Sequence, residues 1–101
     1  MKQMMNDRRI DRKARLYRMK CRNIMLRLAA ADRKKHGVCV SFSDLKIPFQ
    51  DYHVMDLREK HLVTLGVDND GRPGAILYRE YRDMTMGDFD EMLDREIGKT
   101  Y

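Results

Sequence analysis

The stretch "HLVTLGVDNDGRPGAILYREY", residues 61–81, sets two apolar runs around a connection of Asp, Asn, Gly and Pro. Residues 62–67 and 75–81 are rich in strand formers, and "DNDGRPG" between them supplies several residues that tolerate positive φ. The stretch reads as an antiparallel hairpin. A lone hairpin is only marginally stable in water, so this one needs a third strand or a helix beneath it. "VCVSF", residues 38–42, is β-branched and aromatic and is the natural third strand.

Working outward toward the N-terminus, residues 7–36 contain neither Gly nor Pro and are rich in Arg, Lys, Leu, Met and Ala. That composition predicts one long helix closed by Gly37 at C′. Ile10, Ala14, Tyr17, Cys21, Ile24 and Leu28 succeed one another at spacings of four and three, forming a single stripe. Arg8, Arg9, Arg12, Lys13, Arg15, Arg18, Lys20, Arg22 and Arg27 surround it, so the helix is a basic rod with one apolar side. The stripe packs either on the protein's own core or, as a homodimer or partner face, on another chain. Ala14, Tyr17 and Cys21 make poor coiled-coil knobs, which favours the core.

Between the first strand and the hairpin, Ser43 is a candidate N-cap for a brief helical turn and Pro48 a candidate first residue for a helix over 49–60. On a helical wheel Val54, Met55, Leu57 and Leu62 lean inward. Phe49, Tyr52, His53, Asp56, Glu59 and Lys60 lie on the outer side. Beyond the hairpin, "TMGD", residues 85–88, has the form of a capping box, with Thr85 as N-cap and Asp88 reaching back. Met86, Phe89, Met92, Leu93 and Ile97 line one face of the closing helix, and Gly98 stops it.

The chain has 101 residues, enough for one modest core, and its 43% hydrophobic and 37% charged content is that of a globular domain near the polar edge. One domain over residues 1–101, with a mobile terminus at 1–8, is expected. The net charge of +5 conceals a division. Residues 1–36 hold 13 Lys and Arg against Asp7, Asp11 and Asp32, giving +10, whereas residues 37–101 hold eight bases against 13 acids, giving −5. A basic block attracts phosphate, acidic protein or anionic lipid alike. The longest apolar run, 24–31, is interrupted by Arg27 and too short to span a bilayer, and Cys21 and Cys39 stand far apart; a reduced, cytoplasmic setting without membrane is the expectation.

Chemistry finds little footing. An EF-hand register on "DNDG" places Gly66 and Leu77 at ligand positions, and a phosphate loop ending in the terminal "GKT" needs glycine where Leu93 stands. His36 and Cys39 have ligand-pair spacing, and His53, His61 and Cys21 are further donors, but no second close pair accompanies them. Neither metal nor cofactor is expected, and no enzyme. The nine methionines include Met19, Met25, Met55, Met84, Met86 and Met92; those beyond residue 19 read as core fillers, while Met4 and Met5 stay open as partner contacts.

The order of long helix, short strand, short helix, second helix, hairpin and closing helix resembles that of winged helix-turn-helix proteins. The stretch carrying the likeness is "SFSDLKIPFQDYHVMDLREKHLVTLGVDNDGRPGAILYREY", residues 41–81, about two fifths of the chain. "LREKHLV", residues 57–63, matches the leucine-rich step that ends the family's recognition helix, and "DNDGRPG" matches the tip of its wing. The resemblance implies an α+β winged-helix-like fold, a recognition helix over 49–60 and a wing contact at Arg72. This chain departs from the pattern in setting Asp51, Asp56 and Glu59 against only Arg58 and Lys60 on that helix.

Together these readings point to a small DNA-binding protein, regulatory or architectural. Arg8, Arg9, Arg12, Lys13, Arg15, Arg18, Lys20 and Arg22 would hold phosphates, with Lys46, Tyr52, His53, Lys60 and Arg72 as further contacts. RNA is less favoured, because no RNP-type aromatic strand is present. The competing class is an interaction module, such as an adaptor, an assembly factor or an inhibitor from a phage or mobile element, whose helix grips an acidic protein. The position of Asp51, Asp56 and Glu59 relative to the basic helix separates the two.

Overall fold

The computed structural model describes the backbone of residues 2–98 and the side chains of residues 12–95. It is an α+β arrangement of four helices and a three-stranded antiparallel sheet. Helix α1, Lys2–Lys34, starts five residues before the expected boundary and ends two before it. Its C-terminus is closed by Asp32, whose Oδ1 accepts the Gly37 N–H at 2.7 Å, while Gly37 turns the chain at φ 71°. Met4, Met5 and Ile10, together with Arg8 and Arg9, have side chains outside the described residues.

Strand β1, Val40–Ser41, runs straight into α2, Phe42–Leu45. The N-cap is Ser41, not Ser43: Ser41 Oγ accepts from Asp44 N at 3.0 Å, and its extended backbone lets one residue end the strand and begin the helix. Lys46, at φ 58°, takes the left-handed conformation that stops α2 after one turn. Helix α3, Tyr52–Glu59, begins later than expected. Pro48 and Phe49 lie in a turn that Gln50 leaves at φ 56°, and Asp51, a stronger cap than anything nearer Pro48, accepts from His53 N at 2.9 Å.

His61, at φ 61°, ends that helical segment, and the Leu62 N–H closes it onto Leu57 O. Strands β2, Val63–Val67, and β3, Pro73–Leu77, then form the hairpin with Val63 opposite Leu77 and Leu65 opposite Ala75. The second strand had been expected over 75–81. It starts two residues earlier and stops at Leu77, because left-handed His61 leaves no strand for 79–81 to pair with; Arg79–Tyr81 closes into a 3-10 turn instead. The third strand is β1, shorter than the 38–42 that the sequence implied because Phe42 already belongs to α2, and it pairs with β3 so that the sheet order is β1-β3-β2. Ser41 faces Gly74 across that ladder, and a Cβ on Gly74 would lie 2.1 Å from Val40 O, so the two strands approach this closely only with glycine.

Helix α4, Met86–Gly98, opens on the capping box: Asp88 N donates to Thr85 Oγ1 at 3.2 Å and Thr85 N donates to Asp88 Oδ2 at 2.9 Å. Its Phe89, Met92 and Leu93 are buried, whereas Met86, expected on the same face, is exposed; Ile97 lies outside the described side chains. The core gathers Cys21, Ile24, Met25, Leu28 and Ala29 of α1 with Phe42, Leu45, Val54, Leu57, Leu62, Val63, Ala75 and Leu77 and the α4 residues. From Cys21 to Leu28 the α1 stripe is therefore covered in cis, while Ala14 and Tyr17 are half-buried. Cys21, Ile24 and Leu28, read as a dimer or partner face, are at most 6% exposed, and α4 and the sheet occupy the surface a second chain would need. No helix among the described residues is long and apolar enough to cross a membrane.

Candidate nucleic-acid interface

A helix of 33 residues is about 50 Å long at 1.5 Å per residue, close to the longest dimension of the molecule, 53 Å. The α1 residues that pack on the core begin at Tyr17. Arg12, Lys13 and Arg15 precede it and are exposed, as is Lys20 one turn later. None of these four forms an ion pair among the described residues. Along the described length of α1 they are the predicted basic contacts that stay available to an anion.

Other basic side chains of α1 and of the hairpin are already engaged. Arg18 pairs with Asp94, and Arg22 Nη1 lies 3.2 Å from Asp90 Oδ2, so α4 neutralises the body-facing side of α1. Arg27 donates to the carbonyls of Leu45 at 2.9 Å and Asp44 at 2.6 Å, where it satisfies the C-terminal end of α2. At the hairpin tip Arg72 is surrounded by acids. Its side-chain nitrogens lie 3.1 Å from Asp68, 3.4 Å from Asp70 and 3.6 Å from Asp44. A phosphate at the tip would have to displace three carboxylates, and Asp68 is further fixed by accepting the backbone N–H groups of Asp70 and Arg72, each at 2.9 Å. Those donors hold its carboxyl below the usual carboxylate range.

His53, which the helical wheel places on the outer side, is instead buried. Its Nδ1 lies 2.8 Å from Asp51 Oδ1, and its ring sits against Tyr52 and Tyr17, with centroids 3.9 and 5.1 Å away. His53 lies one helical turn before the buried Leu57, on the same face of α3, and that face meets Tyr17 of α1. Tyr52 remains exposed, Lys46 is exposed with its backbone engaged in the α2 cap, and Lys60 is half-buried at the end of α3. The Tyr17 hydroxyl donates to Asp56, across from α1 to α3. Burial first, and then that hydrogen bond, push the phenol well above its ordinary range, so it stays a neutral donor.

Asp51 and Asp56 thus lie on the side of α3 that faces α1, while Glu59 is exposed. Lys13, Leu16, Tyr17 and Lys20 of α1 and Tyr52, His53 and Asp56 of α3 line a cleft of about 510 Å³. The sequence offered only a faint signal for this cluster, the "DYH" at residues 51–53, in which an N-capping Asp is followed by two rings. A second cluster has no local sequence signal: Asp32, 2% exposed, has its Oδ2 at 3.6 Å from His36 Nδ1 and 3.7 Å from Arg82 Nε, tying the end of α1 to the turn after the hairpin.

Nucleophile and metal chemistry gain no geometry. Cys21 and Cys39 are free, buried thiols, and burial pushes Cys21 up to about 12. His36 is turned to Asp32 and Arg82 rather than to Cys39, and no group of three metal-ligating side chains is brought together among the described residues. No family model, curated protein or solved structure matches the chain.

Proposed function

We propose that this protein binds DNA without acting on it chemically, as a regulatory or architectural factor whose phosphate contacts come from the N-terminal half of α1. The observation that carries this reading is the set of Arg12, Lys13, Arg15 and Lys20, exposed and outside any ion pair among the described residues, on a helix that runs past the core. Cations left free in this way release counterions from phosphate and give binding that depends steeply on salt. The element order and the seating of β1 beside the hairpin support a winged-helix-like arrangement. Within it, α3 and the tip contribute less than the family pattern implies, because His53 is buried and Arg72 is held by three acids.

A second reading, the grip on an acidic protein partner, draws on one observation: Asp51 and Asp56 face α1, and their charge weakens the attraction of the neighbouring surface for phosphate. One titration separates the two. A labelled random-sequence duplex is followed by fluorescence anisotropy at about 50 and 200 mM salt, for the wild type and for a variant with Arg8, Arg9, Arg12 and Lys13 replaced by Gln. DNA binding predicts an affinity that collapses with salt, and a variant that binds more weakly with a flatter salt slope and nearly unchanged thermal stability. Unaltered affinity in the variant overturns the basic-helix mechanism, and no binding at low salt favours the protein partner.

A further inference from the structure

The cleft between α1 and α3 combines three features that ordinary surface grooves lack. The first is an aromatic platform held in place from behind. The Tyr52 residue is 60% exposed, yet its ring lies 3.9 Å from the His53 ring and 6.0 Å from that of Tyr17, at 31° and 26°. His53 is anchored by Asp51, and Tyr17 by Asp56, so the exposed ring gives up little freedom when something stacks on it. The second is a pair of cations. Lys13 and Lys20 are two helical turns apart, about 10 Å along α1, on the same side and flanking Tyr17. Their stems are long enough to reach the phosphates on either side of a nucleotide seated between them. The third is an unmade hydrogen bond: His53 is 4% exposed, lines the cleft, and its Nε2 has no partner among the described residues.

We propose that this cleft takes an unpaired nucleotide of a single-stranded nucleic acid, the base stacking on Tyr52 and the flanking phosphates resting on Lys13 and Lys20. The inference rests on the nucleic-acid reading above and adds the form of the ligand. A cleft of about 510 Å³ between two helices admits one base but no duplex. Every base offers a π-face, so stacking is tolerant of sequence, and backbone contacts from lysine supply the remaining affinity. An acidic peptide would satisfy the two lysines but leave the open ring of Tyr52 unused. Among the described residues Asp56 is the one acid lining the cleft, and it accepts from the Tyr17 hydroxyl.

The test compares a labelled single-stranded 12-mer, as DNA and as RNA, with a duplex of the same sequence at about 50 mM salt. The proteins are the wild type, Tyr52→Ala, Tyr52→Phe and the double variant Lys13→Gln/Lys20→Gln, each checked for retained helical signal. The expected result is that Tyr52→Ala weakens single-strand binding about 5- to 150-fold, the range for one stacked base, while Tyr52→Phe stays within about twofold and duplex affinity does not change. The DNA and RNA arms show which strand supplies the nucleotide. If Tyr52→Ala binds the single strand as the wild type does while the lysine variant binds every probe more weakly, the stacking site is overturned and the charge-based reading stands. If the wild type binds none of the probes, that reading fails and this proposal with it.

Discussion

His53 Nδ1 lies 2.8 Å from Asp51 Oδ1, and the same carboxylate oxygen accepts the His53 backbone N–H at 2.9 Å. One side chain therefore caps α3 and orients the imidazole beneath Tyr52. Replacing Asp51 with Ala is expected to cost about 1–2 kcal/mol, from the lost cap and a buried ring left without its partner. Asn at this position, which still caps, should recover most of the loss. Chemical denaturation followed by circular dichroism checks both, and equal destabilisation by Ala and Asn would show that the carboxylate charge, not the cap, matters.

Gly74 and Gly71 make a paired prediction. A Cβ at Gly74 meets the backbone oxygen of Val40 at 2.1 Å, a contact that only separation of β1 from β3 can relieve. Gly71 has φ 77° but open space around it. Gly74→Ala is therefore expected to lose about 3 kcal/mol or more, and Gly71→Ala about 1 kcal/mol from backbone strain alone. The order of their thermal midpoints tests the register of the sheet.

Asp90 and Asp94 hold two of the arginines that phosphate would otherwise reach. Exposed ion pairs of this kind contribute at most about 1 kcal/mol each, so Asp90→Asn/Asp94→Asn should leave the fold intact. If α1 binds DNA, the double variant should bind more tightly at low salt and show a steeper salt dependence, by about 0.9 in slope for each arginine that gains a phosphate. Unchanged affinity would place the bound DNA away from Arg18 and Arg22.

Acid sensitivity follows from two carboxylates whose range is lowered by backbone donors, Asp68 by the Arg72 N–H and Asp88 by the Thr85 N–H. A carboxylate depressed in the folded state stabilises above its unfolded value, about 3.9, and that contribution disappears as pH falls through the folded value. Thermal midpoints should fall below about pH 4, and Asp68→Asn should flatten that fall, since the group no longer titrates.

Cys21 and Cys39 are buried, and burial raises both thiols, that of Cys21 to about 12. A thiol reagent at about pH 8 should find almost no thiolate in the native protein and two equivalents after denaturation. Rapid modification of Cys21 in the folded chain would contradict the packing of α1 on α4 and the sheet.

Much of the fold was legible because its signals are local. The run without Gly or Pro, the stripe from Tyr17 to Leu28, the turn residues of "DNDGRPG" and the Thr85–Asp88 box each state their structure within a few residues. Boundaries were missed where two local signals competed. Ser41 outbid Ser43, and Asp51 outbid Pro48, because a cap is chosen by the backbone that precedes it as well as by its own side chain.

By itself the sequence determined the helix periods, the hairpin and the concentration of positive charge in residues 1–36. Tertiary structure alone decided how much of that charge is free. Arg18 meets Asp94 across 76 residues and Arg22 meets Asp90 across 68, and His53 is buried by a tyrosine 36 positions earlier. Composition records the sum of charges, but Coulomb attraction and burial depend on separation in space, which exists only once α1, α3 and α4 have packed.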